Sequence, residues 1–407
     1  MQSSLNHAAS AATSSRLTNA SCDPSTFSFP HILGAELLNV AADEVRNYTT
    51  SSLLPATDMP TTDAVDFCNV TITYEHTGWN DSINVSLWFP LEEETWNGRL
   101  LGLGGGGYAA SFGPTYQTAA IDKGYIAIGT DSGHASGQAA ATDPSAWVTV
   151  SPGNFNYPLI EDFASRTLGE LSVIAKHATK EYFGVGPAYS YFTGCSGGGR
   201  QGLELAQSFP DAFDGILAAA PAIYFETILV AGYWPTLLMN QLGVFPPSCE
   251  IKAFTAAAVE RCEGLDGLED GIISHPADCD FDVRHVVGRN FTCADDGEQR
   301  PFTQAGASIV EAAWQGFNAS GVSWPGVEMG ADLTAPLIVT ACGDKPGCAA
   351  GFVSMIANFV AADPSLTHPT YRPKSSPKSW RVRSHCGARA WAPRTHACNL
   401  SSRPAAS

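Results

Sequence analysis

Apolar positions along the chain fall in short blocks separated by glycine and polar punctuation. Residues 70–74 (VTITY) and 84–90 (NVSLWFP) are runs of β-branched and aromatic residues and predict strands. Arg99–Leu103 is a short apolar run that ends in glycines 104–107, and residues 125–130 (YIAIGT) read as another buried strand. Across residues 161–183 the apolar set Phe163, Leu168, Leu171, Ile174, Ala178 and Tyr182 recurs at three- and four-residue steps, which predicts a helix. A strand at 189–193 follows, then a glycine-rich turn, a short helix through Leu203 and Ala206, and a strand at 215–220. This alternation of strand and helix predicts an α/β layered fold with a largely parallel sheet.

The rhythm changes after Pro221. Residues 225–372 carry Trp, Pro, Cys and acidic loops without regular alternation and read as a subdomain inserted after a strand. Residues 1–21 are rich in Ser, Ala and Thr and predict disorder. The expected organisation is a disordered segment at 1–21, an α/β core at 22–224, the inserted subdomain at 225–372 and an atypical tail at 373–407.

Charge sharpens the picture of the tail. Residues 372–407 hold eight Lys or Arg and no acid, whereas residues 1–371 hold fourteen basic and forty acidic side chains. Such a break suggests that the tail has a different origin from the body. The net charge of −18 argues against nucleic acid or an anionic membrane surface as partner, since both need basic patches. The chain has no apolar run long enough to span a bilayer.

Eleven cysteines without a CxxC pair point to disulfides rather than metal. Sequons begin at Asn19, Asn47, Asn69, Asn80, Asn84, Asn290, Asn318 and Asn399, eight of the fifteen Asn residues. Disulfides and sequons together place the chain in the secretory route and outside the cell. The opening MQSSLNHAASAATSS has no apolar signal core, so either the signal has been removed or the true start lies upstream.

Gly194-Cys195-Ser196-Gly197-Gly198 satisfies G-x-S-x-G between an expected strand and an expected helix. In that setting the serine occupies a sharp strand-to-helix turn, and glycines flank it because larger neighbours would clash. Ser196 is the candidate nucleophile. The Gly197 amide and the following helix N-terminus would face a developing oxyanion. The run LGLGGGGY at 101–108 offers a second donor, one amide among glycines 104–107, with Gly105 and Gly106 the central candidates. The same glycines fit G-x-G-x-x-G, and Asp122 follows, so a dinucleotide site is a competing reading. No helix is expected directly after the glycines, as such a site requires.

Residues 262–282 read CEGLDGLEDGIISHPADCDFD. Glu263, Asp266 and Asp270 share a glycine-punctuated loop, the setting in which a hard cation gathers several oxygens. Cys262 and Cys279 are placed to close that loop as a disulfide.

The segment GCSGGGRQGLELAQSFPDAFDGILAAAPA at 194–222 resembles the tannase and feruloyl esterase family, as do 96–109 (WNGRLLGLGGGGYA) and 124–136 (GYIAIGTDSGHAS). The resemblance extends from about Cys22 to Tyr371. It implies an α/β-hydrolase core with a lid subdomain, and a secreted serine esterase that hydrolyses esters of aromatic acids such as gallate or hydroxycinnamates, including those of plant cell walls. It implies that the cysteine before the nucleophile bonds a cysteine directly after the catalytic histidine. It also implies a structural calcium site held by side chains of Glu263, Asp266 and Asp270 and the carbonyls of Leu268 and Ile272. Glu263 stands where the family has Asp, which lengthens one ligand. Tyr224, Phe225, Tyr233 and Trp234 are candidates for an aromatic pocket or, more simply, for lid core.

A serine triad needs a base and an orienting acid. His385-Cys386 supplies a His-Cys pair, but it lies early and in surroundings unlike the family's. No acid follows Asp363, and neither Asp344 nor Asp363 sits at a recognisable strand end. Two accounts stand. In one, His385 is the base and Cys386 bonds Cys195. In the other, the tail comes from a shifted frame or aberrant splice and the triad is incomplete; the charge break favours this one. A calcium-stabilised pseudoenzyme that binds ligands without turnover is therefore the rival to an active esterase. His134 and His177 read as structural.

Overall fold

The computed structural model describes residues 21–50, 64–135, 137, 139–319, 322–334, 337–342, 345–347 and 352–363. By contacts the chain divides into two compact units. The described residues of the first fall within 1–138 and 165–221, and those of the second within 139–164 and 222–407. The expected core boundary at 224 thus lies three residues beyond the contact boundary at 221, and segment 139–164 clusters with the second unit.

The first unit is built on one seven-stranded sheet. Its strands are β1 (Ala35–Tyr48), β2 (Val65–His76), β3 (Ile83–Pro90), β4 (Arg99–Leu103), β5 (Ile126–Thr130), β6 (Tyr189–Cys195) and β7 (Gly215–Ala219), in the order β1-β2-β3-β5-β4-β6-β7. The sheet is mixed. β1, β2, β3 and β5 pair antiparallel, while β5, β4, β6 and β7 pair parallel. Three of the six pairings are antiparallel, so the expected largely parallel sheet is found only in the half from β5 to β7; the strands added before it in sequence pair antiparallel.

Both faces of the sheet are covered, which is why β4 and β5 read as unbroken apolar runs. On one face α1 (Pro114–Asp122) brings Ala120 and Ile121 against Val65, Trp88, Leu101, Leu103 and Ala127. On the other, α2 (Thr167–Phe183) and α3 (Gly197–Ser208) bury Leu168, Leu171, Ile174, Ala178 and Leu205 against Val70, Ile72, Leu87, Leu100 and Ile128. The periodic stripe from Leu168 to Tyr182 is this buried face, whereas Phe163 lies in the turn before it. The α-helix proper begins at Thr167, after a π-helical turn at Asp162–Arg166. The Cys22–Cys68 disulfide ties the first described residues to β2.

The second unit is more regular than its sequence suggests. It contains α4 (Phe225–Leu242), α5 (Ser248–Cys262) and α6 (Gln304–Gln315). Their apolar residues share a core that includes Met239, Ile251, Phe254, Ala258, Ile309 and Val310. Disulfides Cys249–Cys293 and Cys262–Cys279 brace it. Among the described residues, no helix is long and apolar enough to cross a membrane.

Candidate active site

Ser196 sits at the tip of the turn from β6 into α3, and its side chain is exposed. Its backbone lies at φ 57°, ψ −113°, a conformation in which a side chain is strained. Hydrogen bonds on both sides hold it there. The Ser196 amide donates to the Ala219 carbonyl at 3.0 Å, and the Arg200 amide donates to the Ser196 carbonyl at 3.0 Å. The strain is thus imposed by β7 on one side and the first turn of α3 on the other. This is the sharp strand-to-helix turn that G-x-S-x-G implied.

The glycine run after β4 packs directly on that turn. The Gly198 amide donates to the Gly105 carbonyl at 3.1 Å, and a methyl at Gly198 would meet that oxygen at 2.6 Å. A methyl at Gly105 would strike the Ala109 carbonyl at 1.9 Å. The close approach of two backbones, more than turn conformation, is what demands glycine at these positions.

The same packing decides which amides of the glycine run are already committed. The Gly104 amide donates to Thr193 O at 2.9 Å, that of Gly105 to Gln201 Oε1 at 3.0 Å, and that of Gly106 to Ala109 O at 3.2 Å. Gly105 and Gly106, the central candidates, are therefore committed inside the protein. No described residue accepts from the amides of Gly107 or Gly197. These two lie together: a methyl on Gly197 would sit 3.2 Å from Gly107 N. Among the described residues, the amides of Gly107 and Gly197 are thus the uncommitted ones beside the Ser196 turn. With its other amides so committed, the run is not free to cradle a pyrophosphate, and no helix opens on it, since α1 starts only at Pro114.

Gln201 is a residue the sequence did not single out. It is buried, accepts from Gly105 N and donates to Ala110 O at 3.0 Å, clamping the glycine run to α3. Its only signal was its place one turn after the nucleophile, on the inward side of a helix.

Cys195 is half-buried and forms no disulfide with a described residue. Tyr116 lies near it, and burial first, with a contribution from Cys195, pushes its phenol up to about 12. Cys386, His385 and Asp344 lie outside the described residues, so the expected base and its disulfide do too. Asp363 is described, and its amide donates to Ala357 O at 2.8 Å in the second unit.

Three imidazoles of the first unit, those of His76, His134 and His177, are structurally engaged. His76 is buried with Nδ1 2.6 Å from Asp81 Oδ2 and Nε2 3.0 Å from Glu170 Oε1. His134 is buried, its Nδ1 2.9 Å from Ala135 O, and burial drives its imidazole down to about 4. His177 Nε2 lies 3.0 Å from Ser28 Oγ and 3.2 Å from Glu181 Oε1. In that Ser28–His177–Glu181 cluster the acid meets the same nitrogen as the hydroxyl, so it does not orient the ring as a triad acid does.

In the second unit Phe225 and Tyr233 are buried and Trp234 Nε1 donates to Ala312 O at 3.2 Å. These three are core. Tyr224 stands exposed.

The acidic loop is closed by Cys262–Cys279. Glu263 Oε2 accepts from Gly271 N at 2.8 Å, Asp266 Oδ1 from Leu268 N at 2.8 Å, and Asp270 Oδ1 from Ile272 N at 3.1 Å. Hydrogen bonds, led by that from Ser274, hold the Asp266 carboxyl below its usual range. The donor set is all oxygen, as a hard cation wants, and the backbone bonds leave one oxygen each of Glu263 and Asp270. The three carboxylates do not, however, fall within 4.8 Å of one another, so a cation there has to draw them in.

Comparison with known proteins agrees with this geometry. A family profile described as tannase and feruloyl esterase matches residues 68–338. A "Probable feruloyl esterase" of Arthroderma benhamiae is 38% identical over 290 residues, covering 70% of this chain and 52% of that protein. The "Tannase" of Aspergillus oryzae is 31% identical over 268 residues, covering 65% of this chain and 44% of that one. The chain therefore spans about half the length of these curated relatives. Among solved structures, a tannin acyl hydrolase from Aspergillus niger superposes with a TM-score of 0.70 at 23% identity, over 84% of this chain and 63% of that chain. Feruloyl esterase B from Aspergillus oryzae does so with a TM-score of 0.63 at 23% identity, over 89% and 67%. These likenesses show a shared fold, of the α/β-hydrolase kind.

Proposed function

The chain belongs to the tannase and feruloyl esterase family, and from that premise we propose that it hydrolyses carboxylic esters of aromatic acids through an acyl intermediate on Ser196. The observation that carries the reading is Ser196 itself: an exposed hydroxyl on a strained turn, beside two uncommitted amides, Gly107 and Gly197. Ser196 Oγ would attack the ester carbonyl. The carbonyl oxygen would take the negative charge, with the Gly107 and Gly197 amides as donors, and the alcohol would leave. Water then releases the acid and restores the hydroxyl. The proton of Ser196 needs a base, for which His385 is the candidate. The names of the relatives suggest feruloyl or galloyl esters as substrates.

A fluorophosphonate probe tests this directly. Rapid labelling that disappears in Ser196→Ala supports the reading. A folded chain that binds ferulate esters yet leaves Ser196 unlabelled is instead a ligand-binding pseudoenzyme, and overturns it.

Two further parts of the proposal concern the protein's setting. Three disulfides among the described residues and the density of sequons support secretion. The disulfide-closed loop with Glu263, Asp266 and Asp270, and the carbonyls of Leu268 and Ile272, would hold a structural calcium ion. Calcium there would stabilise the second unit; no catalytic step runs through it.

A further inference from the structure

On the α1 side of the sheet, the first unit has an open cleft of about 400 Å³. Its wall is one face of β2 and β3, where Phe67, Asn69 and Thr71 alternate along one strand and Asn84, Ser86 and Trp88 along the other. Two sequons share this wall, Asn69-Val70-Thr71 and Asn84-Val85-Ser86. In each, the middle residue points to the opposite face and is fully buried. The two asparagines differ in their partners.

The Asn84 amide is locked. Its Nδ2 donates to Asp131 Oδ2 at 2.7 Å, its Oδ1 accepts from Thr73 Oγ1 at 2.8 Å, and its backbone N–H donates to Asp131 Oδ1 at 2.9 Å. Burial of the Asp131 carboxyl raises its pKa. A sugar on Asn84 Nδ2 would displace that partner and leave a buried carboxylate with fewer donors. Asn69 is partly exposed, and no described residue hydrogen-bonds its side-chain amide. It opens into the cleft opposite Trp88, with which it is paired in register.

We propose that Asn69 carries an N-linked glycan whose first sugars lie in this cleft, and that Asn84 stays unmodified in the folded, secreted protein. Asn69 Nδ2 forms a bond to the sugar's anomeric carbon and loses a proton. The bond from that carbon to phosphate breaks in a lipid-diphosphate-linked oligosaccharide, and the lipid diphosphate leaves. The cleft suits the product. Tyr48 and Trp88 give it an apolar end, while Thr71 and Ser86 offer hydroxyl groups for sugar hydroxyls. The proposal rests on passage through the secretory route, so its test must read that separately. Asn47, Asn80 and Asn290 are exposed sequon positions and serve as the internal reference.

The full chain is secreted from a eukaryotic host. Its glycans are removed enzymatically in heavy-oxygen water, so that each formerly glycosylated Asn is marked as labelled Asp in peptide mass spectra. The expected result is a marked Asn69 and an unmarked Asn84. Asn69→Gln and Thr71→Ala should each lose one glycan mass while still being secreted, and the Asn69 glycan should be released more slowly from folded than from denatured protein. Marked reference sites with an unmarked Asn69, or a marked Asn84 in folded protein, overturn the proposal while leaving secretion intact. No marked site at all overturns both.

Discussion

The Gly198 amide donates to the Gly105 carbonyl across 3.1 Å, and this one bond joins the Ser196 turn to the loop that carries the Gly107 amide. Gly198 has no room for a methyl, which would meet the Gly105 oxygen at 2.6 Å, and the neighbour there is backbone rather than a flexible side chain. Gly198→Ala must therefore push the two loops apart. Overpacking of this kind costs about 1–3 kcal/mol, which a urea midpoint reads. Probe labelling of Ser196 should fall further than stability does, because Gly107 moves away from Gly197. A variant that keeps full labelling would show that the two loops need not be in register.

Ser196 holds φ 57° because Ala219 O and Arg200 N fix its backbone. Glycine populates positive φ without the side-chain penalty. Ser196→Gly should raise stability by about 1 kcal/mol, at the low end of what such strain stores. It should abolish probe labelling at the same time. Ser196→Ala should abolish labelling without that gain, since alanine keeps a Cβ at the same φ. Parallel thermal melts of the two variants check the contrast, and equal melting temperatures would show that the turn stores no strain.

The turn at Ser196 was legible in the sequence because glycine spacing reports backbone crowding directly. Which neighbouring amides stay uncommitted was not. Whether the Gly105 or the Gly107 amide is uncommitted depends on which amides Gln201, Ala109 and Thr193 accept from, and hydrogen-bond partners distant in sequence leave no local pattern. The parallel strands were legible as apolar blocks, being buried on both faces. β1 was not: it is an edge strand, mostly exposed, interrupted by irregular pairing near Leu37 and Val45, and it alternates too poorly to show a period of two. Segment 139–164 groups with residues that begin only at 222, and contiguous reading of a sequence has no means to see that.

Cys262 and Cys279 close the acidic loop at a sequence separation of 17. Closing a loop of this size is worth about 3 kcal/mol through the unfolded chain. Cys262→Ser with Cys279→Ser should lose about that much in denaturant unfolding. Calcium is expected to raise the melting temperature of the unaltered chain, and a chelator to reverse the gain. Asp266→Asn with Asp270→Asn should remove the response while keeping the disulfide. A melting temperature indifferent to calcium in the unaltered chain would count against the cation site and leave the disulfide term untouched.

His134 gives the fold a defined pH dependence. Burial brings its imidazole down to about 4 from 6.5, so the folded chain keeps it neutral where the unfolded chain protonates it. Between those two values the unfolded state binds more protons, and stability falls as pH drops from about 6.5 toward 4. The full difference amounts to about 3 kcal/mol, reached once the pH is below the folded value. Above pH 7 both states are neutral and the effect vanishes. His134→Gln removes the titrating ring, so its unfolding free energy should lose less between pH 7 and pH 4 than that of the unaltered chain. Urea unfolding of both proteins across that range reads the difference, and parallel curves would mean that His134 is protonated in the folded state.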